Sequence, residues 1–516
     1  MDWQNQPNPC RTFDGAPVLR LPLLAADPAG DHQCLYRHRL EPAERQALAS
    51  VAGFLELSVA LSAWKAMGGS RWSLRINPSS GNLHPTETYL LLPRLDHAAP
   101  GLYHYFCFGH ALESRLGLPA DWWADLEAHL GSTGFLVGLT SIFWRESWKY
   151  GMRAFRYCNH DVGHALAALR FAANLFGWGV TLLIETPDRE IGRLLGLDRT
   201  EWAPQEREHP DLLAWVHPAR RAPKRRRLPA GLIEQAVDRP LAGTPNRLSP
   251  SAVRWPAIKQ AAQATVSRGT PAAAMPAVDL PPAAAAESSL TAAAIIRRRR
   301  SATAYDPDGR LPHKTFLALL GRTLPRPAHA PFDVGLGPAC IHLALFVHRV
   351  ENLPQGLYLL VRHPDDLPRL KRDFDPRFEW MPAAEALPLY RLAAGDLRLK
   401  AIEMSCHQDI AGRSTFSLGM IARFADTVTA DPAGYRRLFW EAGMVGQVLY
   451  LEAEAQGVRG TGIGCYFDDE VHRLLGISGD RWQSLYHFTI GRPVEDPRLT
   501  TLPPYGHLEE IQKVRG

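Results

Sequence analysis

The sequence predicts a duplicated α+β fold, one module of mixed helix and strand written twice in a single chain. Three observations carry this expectation. First, GHALAALRFAANLFGWGVTLLIETPDREIGRLLGL, which begins at Gly163, returns without a gap as GMVGQVLYLEAEAQGVRGTGIGCYFDDEVHRLLGI from Gly443. About a third of the positions are identical, Gly177 with Gly457, Thr181 with Thr461 and Asp188 with Asp468 among them. Second, GLYHY at Gly101 is echoed by GLYLL at Gly356. Third, RINPSSGNLHPTETYLLL (75–92) runs from turn-forming residues into an apolar strand, and GLGPACIHLALFVHRV (335–350) does the same. There Pro338 and Leu343 stand where Pro78 and Leu83 do.

Taken in order, the first module spans about 30–216. Thr86, Thr88, Tyr89 and the leucines to Leu92 predict a buried strand after the PSSGN loop (78–82). The repeated segment reads as a helix, a glycine stop, a strand and a short helix closing on RLLG. Residues 217–286 are rich in Pro, Ala and Arg, and TPAAAMPAVDLPPAAAAESS (270–289) has little to bury, so an extended linker is expected. The second module spans 287–504 and opens on AAAIIRRRRSATAYD (292–306). Two such halves packing together would make a pseudo-dimer within one polypeptide, with further homo-oligomers open.

The bulk numbers exclude little but do exclude something. The net charge of +5 arises from 58 basic and 53 acidic residues, too even to argue for nucleic acid. The excess is local, in ARRAPKRRR (219–227) and RRRR (297–300). Hydrophobic content of 46% and charged content of 22% are ordinary for a globular protein. The longest apolar run, 166–184, carries Arg170 and Asn174 and reads as a buried helix followed by a strand, so no membrane span is expected. Seven cysteines without a C-x-x-C pair suit a reduced, cytoplasmic protein. Cys158, His160 and His164 lack a fourth ligand, and no metal is expected.

Where the copies differ, each keeps what the other has lost. PSSGN becomes PACIH. ESWKYGMRAFRY (146–157) is matched by a stretch that puts Thr429 and Ala430 where Lys149 and Tyr150 stand. The arginine run followed by Ser301 opens only the second copy, and guanidinium forks with a hydroxyl suit a phosphate. One composite site with contributions from both halves would look like this.

These residues resemble the nitroreductase-like flavoproteins, and within them the SagB-type azoline dehydrogenases and their tandem relatives. The resemblance implies one FMN per chain, its phosphate on the second module and its ring facing the first. PSS-x-N is matched by Pro78, Ser79, Ser80 and Asn82, expected at the polar edge of the ring. The R-x-S-x-[RK] phosphate clamp is matched at Arg299 and Ser301, with Thr303 in place of the third base. The glycine-rich segment falls on Gly462, Gly464 and Cys465, and a further phosphate-binding base on Arg492. The catalytic pair would be Lys149 and Tyr150. Hydride transfer at flavin N5, with azoline rings in a modified peptide as substrate, is the implied activity. An NAD(P)H-dependent nitroreductase or quinone reductase, and a non-catalytic flavin- or peptide-binding scaffold, are the alternatives.

Overall fold

The computed structural model describes residues 1–37, 46–273, 275 and 288–508. The chain divides into two compact units. Unit 1 comprises residues 1–272, 334–336 and 498–516, and unit 2 comprises 273–333 and 337–497.

Each unit is built on a seven-stranded antiparallel sheet. In unit 1 the strands are β1 (Val18–Arg20), β2 (Thr86–Leu92), β3 (Gly101–Phe106), β4 (Ala111–Gly117), β5 (Phe135–Ser141), β6 (Trp178–Leu182) and β7 (His209–Pro218). Their spatial order is β1-β4-β3-β2-β5-β7-β6. In unit 2 they are β8 (Ile341–Val347), β9 (Gly356–Leu360), β10 (Met381–Pro382), β11 (Leu389–Ala394), β12 (Phe416–Arg423), β13 (Arg459–Ile463) and β14 (Trp482–Gly491). The order there is β10-β11-β9-β8-β12-β14-β13, so the six strands after the edge follow one plan in both units. The central strands β2 and β8 are buried at every position, because helices or loops cover both faces.

The helices that position the site follow the same plan. In unit 1, α1 (Phe143–Tyr150) leads into α2 (Ala154–Leu175), and α3 (Pro256–Ala264) comes later. In unit 2, α4 (Ala292–Arg298) precedes α5 (Gly434–Ala455) and α6 (Asp468–Leu475). Helices α2 and α5 are each 22 residues long and almost wholly buried. Both stop for the same reason. Gly177 (φ +69°) and Gly457 (φ +70°) take the left-handed conformation just past the helix end. After α5, the Gly457 N–H reaches the Glu454 carbonyl at 3.2 Å and the Val458 N–H reaches the Ala453 carbonyl at 3.0 Å, satisfying two orphan carbonyls. The repeat is thus one supersecondary unit, α2–β6 and α5–β13.

Two expectations need correction. The stretch predicted as an extended linker folds over most of its length: residues 217–272 belong to unit 1 and carry the helices Ala230–Val237 and α3. The first of these buries Leu232, Ile233 and Ala236 in a core with Trp122, Leu126 and Trp215. Each large apolar group removed from water there contributes roughly 1.5–3 kcal/mol. Of the rest of the predicted linker, 274 and 276–286 lie outside the described residues. Second, the pairing of Leu92 with Gly101 and of Val347 with Gly356 aligns Leu343 with Thr88 rather than with Leu83. The second copy therefore reaches its central strand in fewer residues.

The chain from Arg498 onward returns to unit 1. Thr500–Leu502 pairs with Leu61–Met67, which pairs in turn with Ser70–Arg75. The Tyr505 hydroxyl donates to the Cys107 carbonyl at 2.9 Å and accepts from the Leu61 N–H at 3.1 Å. Among the described residues no helix is long and apolar enough to cross a membrane.

Candidate functional site

In unit 1 the PSSGN loop is tied down by its own side chains. Ser79 is extended, while Gly81 (φ +59°) and Asn82 (φ +59°) are left-handed. Ser79 Oγ accepts from the His84 N–H at 2.8 Å, and Asn82 Nδ2 donates to the Ser73 carbonyl at 2.9 Å. Asn82 Oδ1 lies 2.8 Å from His84 Nε2. Asn82 is thus a staple of the loop. Asn77 Oδ1 is buried without a hydrogen-bond partner, and the Ser80 hydroxyl has none among the described residues either.

The loop meets the end of α1 at its glycine. A Cβ at Gly81 would lie 2.5 Å from Tyr150 Oη and 3.1 Å from Lys149 Nζ, so only a bare backbone lets both heads approach. Lys149 is exposed, with Nζ 5.3 Å from the centroid of the Tyr150 ring. The predicted loop and the predicted Lys-Tyr pair converge within one unit.

Beneath the loop lie two carboxyl groups that the sequence reading did not single out. Glu146, on α1, is fully buried, and Oε1 sits 3.5 Å from Ser79 Oγ. Asp161, on α2, is 2% exposed and accepts from the Ser80 N–H at 3.2 Å. Glu146 Oε2 and Asp161 Oδ2 have no hydrogen-bond partner. Burial and the neighbouring Asp161 push the Glu146 carboxyl well above the usual carboxylate range. Burial raises Asp161 to about 7, against the downward pull of its hydrogen bonds to Ser79 and Ser80. Sequence did hold a signal: Glu146 lies three and four residues before Lys149 and Tyr150, one helical turn away. The start of α1, with Phe143 and Trp144, borders a cavity of about 590 Å³ that His209 and Trp255 also line.

In unit 2, three predicted residues converge on Tyr450 of α5. Ser301 Oγ lies 2.9 Å from Tyr450 Oη, the Gly462 N–H donates to the same oxygen at 2.9 Å, and the Arg299 guanidinium sits 5.2 Å from the ring centroid. Gly462 is required sterically, since a Cβ there would strike the Tyr486 hydroxyl. Its N–H is already engaged, so it shapes the segment rather than offering a donor. The basic run is not a solvated end. Arg299 is 4% exposed, and burial disfavours its charge. Burial and Arg299 together lower Arg300 to about 10. Two crowded, desolvated guanidiniums fit an anion such as a phosphate, whose charge would offset both penalties. Thr303 and Cys465 are exposed and Gly464 is half-buried. Cys465 Sγ lies 2.6 Å from Cys406 Sγ. Arg492 is exposed and faces Asp306 at 3.7 Å.

The duplicated elements expose one difference closely. Asp161 and Glu441 occupy the eighth position of α2 and α5, and each accepts a loop N–H, from Ser80 and from Cys340 (2.9 Å). In unit 2 that carboxylate is neutralised by the buried Arg362. In unit 1 its neighbour is a second acid. The helix Phe424–Ala430 follows β12 as α1 follows β5, and it ends on Thr429 and Ala430 instead of a lysine and a tyrosine.

Residues 296–492 match the family model described as the Nitroreductase family. No curated protein sequence matches the chain. Among solved structures, a protein from Anabaena variabilis described as a nitroreductase superposes with a TM-score of 0.66 at 21% identity, covering 96% of this chain and 95% of that one. A nitroreductase-type protein from Ralstonia eutropha gives 0.30 at 20% identity, over 44% and 96% of the two chains. The E. coli microcin synthetase McbBCD complex with truncated pro-MccB17 bound gives 0.30 at 18% identity, over 39% and 70%. The Anabaena likeness extends over both units.

Proposed function

We propose that this chain, whose residues 296–492 form a nitroreductase-family domain, is an FMN-dependent oxidoreductase of the SagB-type dehydrogenase kind, acting on azoline rings in a small molecule or modified peptide. The observation that carries the reading is the Gly81 turn, against which both the Tyr150 hydroxyl and the Lys149 amine are packed. A loop with open polar groups beside a lysine and a phenol suits a planar heteroaromatic edge with a proton to be moved nearby.

FMN, when bound, supplies the hydride acceptor. The residues of the chain do the rest. Arg299 and Ser301, with Arg300 adding charge, would hold the phosphate by charge and hydrogen bonding. Arg492 stands as a further base, drawn from Asp306. Gly462, Gly464 and Cys465 would form the glycine-rich segment beside the cofactor. Pro78, Ser79, Ser80 and Asn82 shape the loop, which would offer the Ser80 hydroxyl as a polar contact. Lys149 or Tyr150 would take the substrate proton as the C–H bond breaks. The second copy has lost the loop hydroxyls and the Lys-Tyr pair, which supports one competent flavin per chain.

The test is the absorption spectrum of the purified chain, with extraction and counting of flavin, followed by incubation with a thiazoline dipeptide. One FMN per polypeptide and formation of the thiazole are expected. No flavin after reconstitution with FMN overturns the reading, and two per chain would overturn the division of labour between the copies.

A further inference from the structure

We propose that Glu146 and Asp161 act as a pair inside unit 1 in which one acid stays protonated and the other takes up the proton released at the Lys149–Tyr150 end of α1. This rests on the oxidoreductase reading above.

The geometry leads there in short steps. The loop that carries Gly81 to the Lys149 and Tyr150 heads also carries Ser79 to Glu146 and Ser80 to Asp161. One oxygen of each acid is bonded to the loop, and the other is buried with no partner. Two ionised carboxylates with unpartnered oxygens in a dry interior repel and stay desolvated, so the stable state keeps one of the two protonated. Structural need alone does not explain the arrangement. Unit 2 ties its loop to Glu441 at the same helix position and cancels that charge with Arg362. Unit 1 keeps the tie and adds an acid.

Other charges facing the pair are few. Lys149 comes from α1, Arg75 from the strand Ser70–Arg75, and His160 neighbours Asp161 on α2. Cys158 of α2 and Asp211 of β7 lie on the same side. Arg75 donates to the Thr86 and Pro9 carbonyls, and Asp211 accepts from Ser141 at 2.6 Å.

Oxidation of a thiazoline to a thiazole removes a hydride and a proton. FMN, when bound, would supply the oxidant that takes the hydride. The proton passes to the Lys149 amine or the Tyr150 side and then to the carboxylate of the pair, which becomes a carboxyl. Loss of that proton to water restores the starting state.

Infrared spectroscopy of the full chain, with and without FMN, tests the retained proton directly. A deuterium-sensitive carbonyl stretch of a neutral carboxyl at pH 7 is expected, lost in Glu146→Gln and altered in Asp161→Asn. Its absence between pH 5 and 9 overturns the proposal. The second arm is the pH profile of thiazoline oxidation. Asp161→Asn should move the acidic limb of kcat and lower kcat about tenfold at unchanged KM, with partial rescue by Asp161→Glu. An Asp161→Asn profile and rate equal to the parent's would overturn proton uptake while leaving the oxidoreductase reading intact. A chain that shows the carbonyl band but neither binds FMN nor oxidises the probe would overturn that reading and, with it, the pair's role.

Discussion

The hydroxyls of Tyr450 and Ser301 lie 2.9 Å apart, joining the long buried helix of unit 2 to the residue just past its arginine run. The same phenolic oxygen accepts the Gly462 N–H at 2.9 Å. Tyr450→Phe removes both bonds while keeping the ring under Arg299. With each hydrogen bond contributing about 1 kcal/mol, the dissociation constant for FMN should rise by up to roughly thirtyfold, measurable by fluorescence titration. An unchanged constant would detach Tyr450 from the phosphate end.

Lys149→Ala should leave FMN bound in full and lower thiazoline turnover by roughly 10²–10⁴-fold. Lys149 is exposed at a helix end, so the fold should be untouched and the melting temperature unchanged. Full turnover in this variant would remove Lys149 from the reaction.

Asp161 makes stability depend on pH in a defined direction. Its folded value of about 7 is raised above the ordinary 3.8, so the folded chain holds the proton more tightly than the unfolded one. That contribution is complete below about pH 4 and is lost as pH rises through about 7. Asp161→Asn should therefore gain up to roughly 4 kcal/mol over the parent at pH 8 and little at pH 4. Thermal melts at the two pH values check it.

Gly457→Ala isolates a backbone cost. Nothing lies within 4 Å of the added Cβ, and φ is +70°. The loss should be about 1 kcal/mol, read as a lower denaturant midpoint at unchanged slope.

Much of the fold was legible because duplication writes the same instructions twice. Gly177 with Gly457 marked both helix ends, and RLLG marked both closing helices. The alternating burial of the arginine run was not legible. Arg298 is exposed and Arg299 buried, and only the packing of Tyr450 against the guanidinium decides which is which. Helix α3 was read as linker because PAIKQAAQA buries only Ile258 among its helical positions, and alanine-rich composition suits either state. For the site, PSSGN and Lys149–Tyr150 could be seen as letters, yet their meeting at Gly81 depends on where α1 ends. Glu146 and Asp161 escaped notice because acids on helices usually face water.

The strand Thr500–Leu502 makes the two halves of the sequence poor candidates for separate production. A fragment ending at residue 272 would leave the outer edge of Leu61–Met67 bare, with its N–H and C=O groups open to other chains. The complementary fragment would carry Trp64's partner carbonyl at Pro504 and the Tyr505 hydroxyl with nothing to receive them. Mixed in solution, the two pieces would have reason to find each other, so a protease nick in the intervening segment would sever the polypeptide without parting the protein.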